Sequence, residues 1–297
     1  MAITRRHFLD LCKNSAVALG ITSVCLTNIE ELFASTTAPT VLWLEGTSCS
    51  GCSVSFMNRI STTSPKTAGE VLIQTVNLRY HPTLMAAAGD TAVSVIANAV
   101  SSGPFILVVE GGVPTAFGGA TCFVWTLNGN DVTMLTAVQA LASKASAVMC
   151  IGTCSSFGGV PAANPNPTGI KSVSLATGKP TVNVPGCPPH PDWIVWTLAQ
   201  ILGNQSMALD AYGRPKALYG KTVHSQCPRR EGEDASTYGQ DNRCMEEMGC
   251  CGPQTYAPCP VSLWNGGVNW CVDANSQCLG CTSPNFPQAP LRSGHGD

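Results

Sequence analysis

The placement of cysteine constrains this chain more than any other feature. Sixteen cysteines occur in 297 residues, five of them at or before Cys122 and eleven from Cys150 to Cys281. In a small secreted chain such a set reads as a disulfide framework. This chain is long enough for one large domain or two ordinary ones, and its cysteines sit among Gly and Pro in loop-like contexts. Bunched thiols with C-x-x-C spacings in a chain of this size favour metal. Charged residues make up 11% of the sequence, far below the roughly 25% usual in soluble domains. A chain so poor in charge is expected to bury part of its surface against a partner. The formal net charge of -2 does not point to nucleic acid or to an anionic membrane.

Residues 1–36 read as an export signal. Thr4-Arg5-Arg6-His7-Phe8-Leu9 is a twin-arginine pattern, an apolar stretch covers 15–26, and small residues surround Ala34-Ser35-Thr36. The apolar stretch is shorter than the ~18 residues a membrane span needs. No other stretch is long and apolar enough to span, and the Pro-, Gly- and Ser-rich end after Pro284 reads as a loose tail rather than an anchor. Exported thiols usually oxidise, whereas metal clusters need thiolates. The conflict is resolved if the chain is exported folded, by the twin-arginine route, with its metal already installed.

From about residue 38 to 204 the sequence alternates strand and helix. Strand-like runs cover 40–44, 71–78, 105–109, 147–151 and 181–184, and helix-like stretches cover 53–60, 84–100, 134–143 and 192–202. Residues 122–127 and 132–134, joined by Asn128-Gly129-Asn130, read as a hairpin insert. Near-continuous apolar strands alternating with helices predict a parallel sheet covered on both faces. From Lys221 onward periodicity is weak and Cys, Pro, Gly, Asn and Trp dominate. Such a region does not pack by itself, and metal bound as the chain folds would serve as its core.

Ligands of an open parallel sheet bind beyond the carboxyl ends of its strands. Three of the expected strands run into cysteine loops there: Cys49 and Cys52 after the first, Cys154 after the fourth, Cys187 after the fifth. The strand end Val109-Glu110-Gly111-Gly112 has glycines and no thiol. Four thiolates match the ligand count of one [4Fe–4S] cluster. Zinc would accept the same four, and C-x-x-C alone would serve as a redox dithiol. His224, Cys227, Cys244 and Cys250 form a second set of four. Its neutral imidazole in place of a thiolate is expected to raise the potential of a bound cluster. Cys259, Cys271, Cys278 and Cys281 form a third. Trp264 and Trp270 lie among these ligands, either as a shield against water or as a small satellite core. Of the remaining cysteines, Cys12 and Cys25 fall in the signal, Cys122 and Cys150 in expected strands as buried inert thiols, and Cys251 stands open as a competing ligand beside Cys250.

Taken together, the twin-arginine leader, the first cysteine loop, Val109-Glu110-Gly111, Gly152-Thr153-Cys154, the run from Gly186 to Trp193, the His224 set and the run from Cys259 to Cys281 resemble the small subunit of [NiFe] hydrogenases. The resemblance covers about 1–287. It implies a flavodoxin-like domain over 38–204 and an irregular cluster-binding domain over 205–297. It further implies three iron–sulfur clusters, all [4Fe–4S]: a proximal one on Cys49, Cys52, Cys154 and Cys187, a distal one on His224, Cys227, Cys244 and Cys250, and a medial one on Cys259, Cys271, Cys278 and Cys281. The nickel–iron centre belongs to a large-subunit partner, so no catalytic residue is expected in this chain. The implied role is a periplasmic electron relay to an acceptor such as a multihaem cytochrome c. Many members have proline where Cys271 stands, and cysteine there resembles the nickel–iron–selenium branch. Gly51 and Gly159 stand where the oxygen-tolerant branch has extra cysteines, and Cys251 replaces a frequent lysine. The rival readings are an iron–sulfur subunit of another redox complex, such as the small one of respiratory complex I, and a structural zinc-binding or disulfide-rich secreted protein.

Overall fold

The structure is a computed structural model that describes residues 40–287 apart from 62–65, 75 and 241. The expected signal, with Cys12 and Cys25, and the tail beyond 287 lie outside the described residues.

Five segments form one sheet: β1 (Thr40–Glu45), β2 (Asn77–Tyr80), β3 (Phe105–Glu110), β4 (Ala147–Ile151) and β5 (Val182–Val184). Their spatial order is 2-1-3-4-5 and every neighbouring pair is parallel, the flavodoxin-like arrangement. Successive strand residues point to opposite faces. Val41, Trp43, Ile106, Val108, Met149 and Ile151 pack on one side, together with Trp193, Ile194 and Leu198 of the helix Pro191–Leu202. Leu42, Leu44, Leu107, Val109, Val148 and Cys150 pack on the other, against Ile96 of Gly89–Ser102 and Val138 and Leu141 of Met134–Ala142. Burial on both faces is why β1, β3 and β4 read as unbroken apolar runs rather than alternating ones.

One expected strand is corrected. Of the run 71–78, the first part belongs to the helix Ala68–Gln74, and only Asn77–Tyr80 is strand. A short apolar run has no period that separates helix from strand, and this edge strand pairs only with residues 40–42 of β1. The helix expected from residue 84 starts at Gly89, because Ala88 is extended. The hairpin is present as Phe123–Leu127 paired with Asn130–Thr133. Asn128 and Gly129 both have positive φ, 51° and 77°, as a tight twisted hairpin turn requires. Cys122 precedes the hairpin strand rather than lying in it, and is half-buried; Cys150 is fully buried in β4.

Beyond Gly203 the described elements are single turns, among them Lys216–Tyr219, Val223–Gln226 and Cys259–Ser262. This region is fastened to the sheet through the start of the helix Pro191–Leu202. Trp193 donates its indole N–H to Ser262 Oγ at 3.0 Å, and His190 Nε2 meets the Leu263 carbonyl at 2.7 Å. Tyr219, fully enclosed, donates its hydroxyl to Pro185 O at 2.9 Å. Arg214 is ion-paired with Asp210 at 2.8 Å, lies 5.1–5.7 Å from the rings of Tyr212, Tyr219 and Tyr256, and donates to Thr282 O. One apolar core therefore runs from the sheet into the cysteine-rich region. Among the described residues no helix is long and apolar enough to cross a membrane.

Leu107 sits at the centre of β3 with 0% exposure. Leu107→Ala is expected to cost about 2–5 kcal/mol, seen as a lowered thermal midpoint; an unchanged midpoint would mean that the sheet is not the core.

Candidate metal centres

Glu45, Glu110, Ile151 and Val184 end their strands side by side, in register across the sheet. The loop after β1 is zipped to the loop after β3 by Gly46 N–H to Glu110 O (2.8 Å), Thr47 N–H to Gly112 O (3.0 Å) and Gly112 N–H to Thr47 O (3.1 Å). It then turns at Ser50, held at φ 58°, into the helix Gly51–Met57. This brings Cys49 and Cys52 beside Cys154 and Cys187. The approach is close enough that a Cβ on Gly152 would lie 2.5 Å from Cys52 Sγ, so only glycine fits. Burial pushes the Cys52 thiol well above its usual value, and the charges of Glu110, Cys154, Cys49 and Cys187 push it further. Cys154 is pushed up to about 12, again by burial first and then by Cys187. Cys49 and Cys187 are exposed, which leaves this site open on one side.

Glu110 was not foreseen as part of the site. It is fully buried and gathers donors from three directions: Trp43 Nε1 (3.3 Å), Ser48 Oγ (2.9 Å), and the Cys52 N–H, Ser53 N–H and Ser53 hydroxyl. Burial raises its carboxyl, and the bonds from Ser53, Ser48 and Cys52 oppose that. Its work is local: it pins the first turn of the cysteine helix to the end of β3. Beside it, the Thr83 N–H donates to His81 Nδ1 (3.2 Å), which leaves Nε2 as the protonated nitrogen facing Ser53 Oγ at 3.2 Å. The one available signal was an acidic residue closing the apolar run Phe105-Ile106-Leu107-Val108-Val109.

The second set is also assembled. Cys227 is raised by burial and by the charges of Cys250 and Cys244, and Cys244 by burial and by Asp234, Glu246 and Cys250. A Cβ on Gly252 would lie 3.4 Å from Cys250 Sγ and 3.5 Å from His224 Cβ. In the third set, Cys259 is raised well above its usual value by burial and by Cys281, Cys278 and Cys271, while Cys278 and Cys281 are pushed up to about 12. Thiols within each expected set lie near enough to raise one another, and Cys250 of the second set also raises Cys271 and Cys278 of the third. Cys251 is buried, with its thiol 3.7 Å from the Gly249 carbonyl.

The groups touch in series. Cys278 N–H points to Cys250 Sγ at 3.3 Å, and Cys251 N–H donates to Cys278 O at 2.8 Å. At the other junction, Thr153 N–H donates to Gly186 O (3.0 Å), Gly186 N–H donates to Thr153 Oγ1 (2.9 Å), and that hydroxyl donates to Cys281 O. One buried hydroxyl therefore joins the loops of Cys154, Cys187 and Cys281. The set from Cys259 to Cys281 lies between the other two.

The donors fit a thiolate-bound metal. Every described cysteine is a free thiol, and groups of buried thiols that resist ionising beside one another need a cationic core to become thiolates together. Trp270, next to Cys271, buries an indole N–H with no partner among the described residues, a donor suited to a sulfur acceptor.

Comparison with known proteins separates the readings. Residues 49–201 match the family model of the NADH ubiquinone oxidoreductase 20 Kd subunit, and 219–291 match that of the C-terminal region of the NiFe/NiFeSe hydrogenase small subunit. The chain is 39% identical to the periplasmic [NiFeSe] hydrogenase small subunit of Desulfomicrobium baculatum, over 97% of both chains. It is 38% identical to the periplasmic [NiFe] hydrogenase small subunit of Solidesulfovibrio fructosivorans, over 96% of this chain and 90% of that one. In three dimensions it resembles the recombinant [NiFeSe] hydrogenase of Desulfovibrio vulgaris Hildenborough, with a TM-score of 0.80, 36% identity, and 87% of this chain and 98% of that one covered. The chain belongs to the NiFe/NiFeSe hydrogenase small-subunit family, and so to the oxidoreductases.

His81 is lowered from 6.5 to about 4 by burial, with Glu45 opposing. The folded ring stays neutral where the unfolded ring takes a proton, so stability is full above pH 6.5 and falls between pH 6.5 and about 4. The loss is on the order of 3 kcal/mol. Thermal midpoints taken down that window are expected to fall less for His81→Asn than for the natural chain. Thr153→Val strips partners from two buried backbone groups and is expected to cost about 1–3 kcal/mol, with Thr153→Ser restoring the midpoint.

Proposed function

We propose that this chain is the electron-transfer small subunit of a nickel–iron hydrogenase, with three [4Fe–4S] clusters. The proximal one is assigned to Cys49, Cys52, Cys154 and Cys187, the medial one to Cys259, Cys271, Cys278 and Cys281, and the distal one to His224, Cys227, Cys244 and Cys250. The observation that carries this reading is the serial contact of three four-donor sets, Cys154 and Cys187 meeting Cys281 through Thr153, and Cys278 meeting Cys250 directly. Clusters bound there supply one-electron carriers that link H2 oxidation at the nickel–iron centre of a large subunit with an external acceptor such as a multihaem cytochrome c.

The chain's own groups have separable tasks. Glu110 and Thr153 hold the ligand loops. Gly152 lets backbone come close to sulfur. Trp264 lends a side-chain hydrogen bond to Cys259. The large subunit is assigned to the face that carries exposed Cys49 and Cys187, where Val54, Met57 and Ile60 are 54%, 41% and 77% exposed on and just beyond one short helix. A partner there would cover apolar surface that the low charge content leaves bare.

The proposed organisation is a twin-arginine signal over 1–36, a sheet domain over 38–204 and a cluster domain over 205–297, with the mature protein in the periplasm. Two relatives bearing periplasmic names support the location.

Metal and sulfide analysis of the purified heterodimer is expected to give about twelve iron and twelve sulfide for this chain, the content of three four-iron clusters. Zinc in place of iron would reject the relay. Cys271→Pro is expected to convert the medial cluster toward [3Fe–4S], and an unchanged electron paramagnetic resonance spectrum would reject that assignment.

A further inference from the structure

The loop between Cys244 and Cys250 places a carboxylate against the histidine of the distal set. His224 lies in the short helix Val223–Gln226, and Glu246 opens the turn Glu246–Met248. The two come together in space, with His224 Nε2 at 3.9 Å from Glu246 Oε2, an ion-pair separation longer than a hydrogen bond that a small rotation of either side chain would close. A ligand atom each from His224, Cys244 and Glu246 fall within 4.8 Å of one another. The His224 side chain is 28% exposed and that of Glu246 52%, so the pair stands at the rim of the set, partly in solvent.

A metal-bound imidazole has one nitrogen left over, and that nitrogen is a hydrogen-bond donor. A carboxylate that accepts from it fixes the plane of the ring and makes the imidazole a stronger donor to metal. It also brings a negative charge next to the one neutral ligand of the set. Replacing thiolate by imidazole raises a cluster's potential, and a carboxylate behind the imidazole acts in the opposite direction.

We propose that Glu246 is the positioning partner of His224, holding the imidazole in its ligating orientation and setting the distal potential below the value that histidine ligation alone would give. The residue acts only through His224. This rests on the distal assignment made above.

The test is a double-mutant cycle on the purified heterodimer, read by redox titration of the distal signal in electron paramagnetic resonance together with iron content. With iron retained, Glu246→Gln is expected to move the distal midpoint to more positive potential and leave the medial and proximal midpoints in place, and Glu246→Asp to move it back. In a His224→Cys background, which has no imidazole to hold, Glu246→Gln is expected to shift the midpoint much less. An unmoved midpoint in Glu246→Gln, or an equal shift in both backgrounds, overturns the proposal. Loss of distal iron in Glu246→Gln supports it only if iron is retained in the double variant, and overturns it otherwise. If His224→Cys alone leaves the distal midpoint where it was, the assignment of His224 fails instead, which is a separate result.

Discussion

Thiols packed this densely cannot ionise together, and the rest of the molecule answers to that constraint. In all three sets burial comes first in raising the thiols, and the neighbouring thiols push further. A soft cationic core would remove both penalties at once, and metal binding would then be part of the folding free energy. The effect matters most beyond Gly203, where the described elements are only single turns. There the apolar core contributed by Tyr219, Val223, Met245, Ala257 and Trp270 is continuous with that of the sheet. Side-chain burial and sulfur ligation would thus complete the same interior.

The sheet decides where the first set can be. In the order 2-1-3-4-5, β3 lies between β1 and β4, yet it brings a carboxylate where its neighbours bring thiols. Glu110 is the strand end that ties this row together, because it accepts from the loop that follows β1 while its own backbone continues into the loop zipped to Thr47. A fifth thiol there would add repulsion without satisfying the N–H groups that open the helix Gly51–Met57. The carboxylate satisfies two of them, at Cys52 and Ser53.

Much of this was legible in the sequence, for physical reasons that differ from place to place. Strands β1, β3 and β4 announce themselves as apolar runs because both faces are covered. The cysteine loops could be placed because a parallel sheet presents the ends of its strands to one side. The expected grouping of twelve donors rests on count and spacing. The segment 71–78 was misread because a run that short has no readable period, and a helix packs its Ala68 and Val71 as well as a strand would. Glu110, His81, Thr153 and Glu246 were missed for another reason. Each acts through a partner distant in sequence, such as the 128-residue separation between Thr153 and Cys281, and no local pattern encodes that. The leader, which carried the expectation of export, lies outside the described residues.

The two matched family models divide the chain where the structure changes character, one ending at residue 201 and the other beginning at 219. The first part is a sheet with one donor set at its edge, and it is shared with the 20 Kd subunit of NADH ubiquinone oxidoreductase. The second part is what makes the chain a hydrogenase small subunit, and it is not hung on a linker. His190, Trp193 and Tyr219 bond to groups across that boundary, and Thr153 reaches the carbonyl of Cys281 from within the sheet domain. A flexible tether would let the distance between donor sets vary. Bonds through buried side chains hold it constant, and constant spacing is what a chain of electron carriers requires.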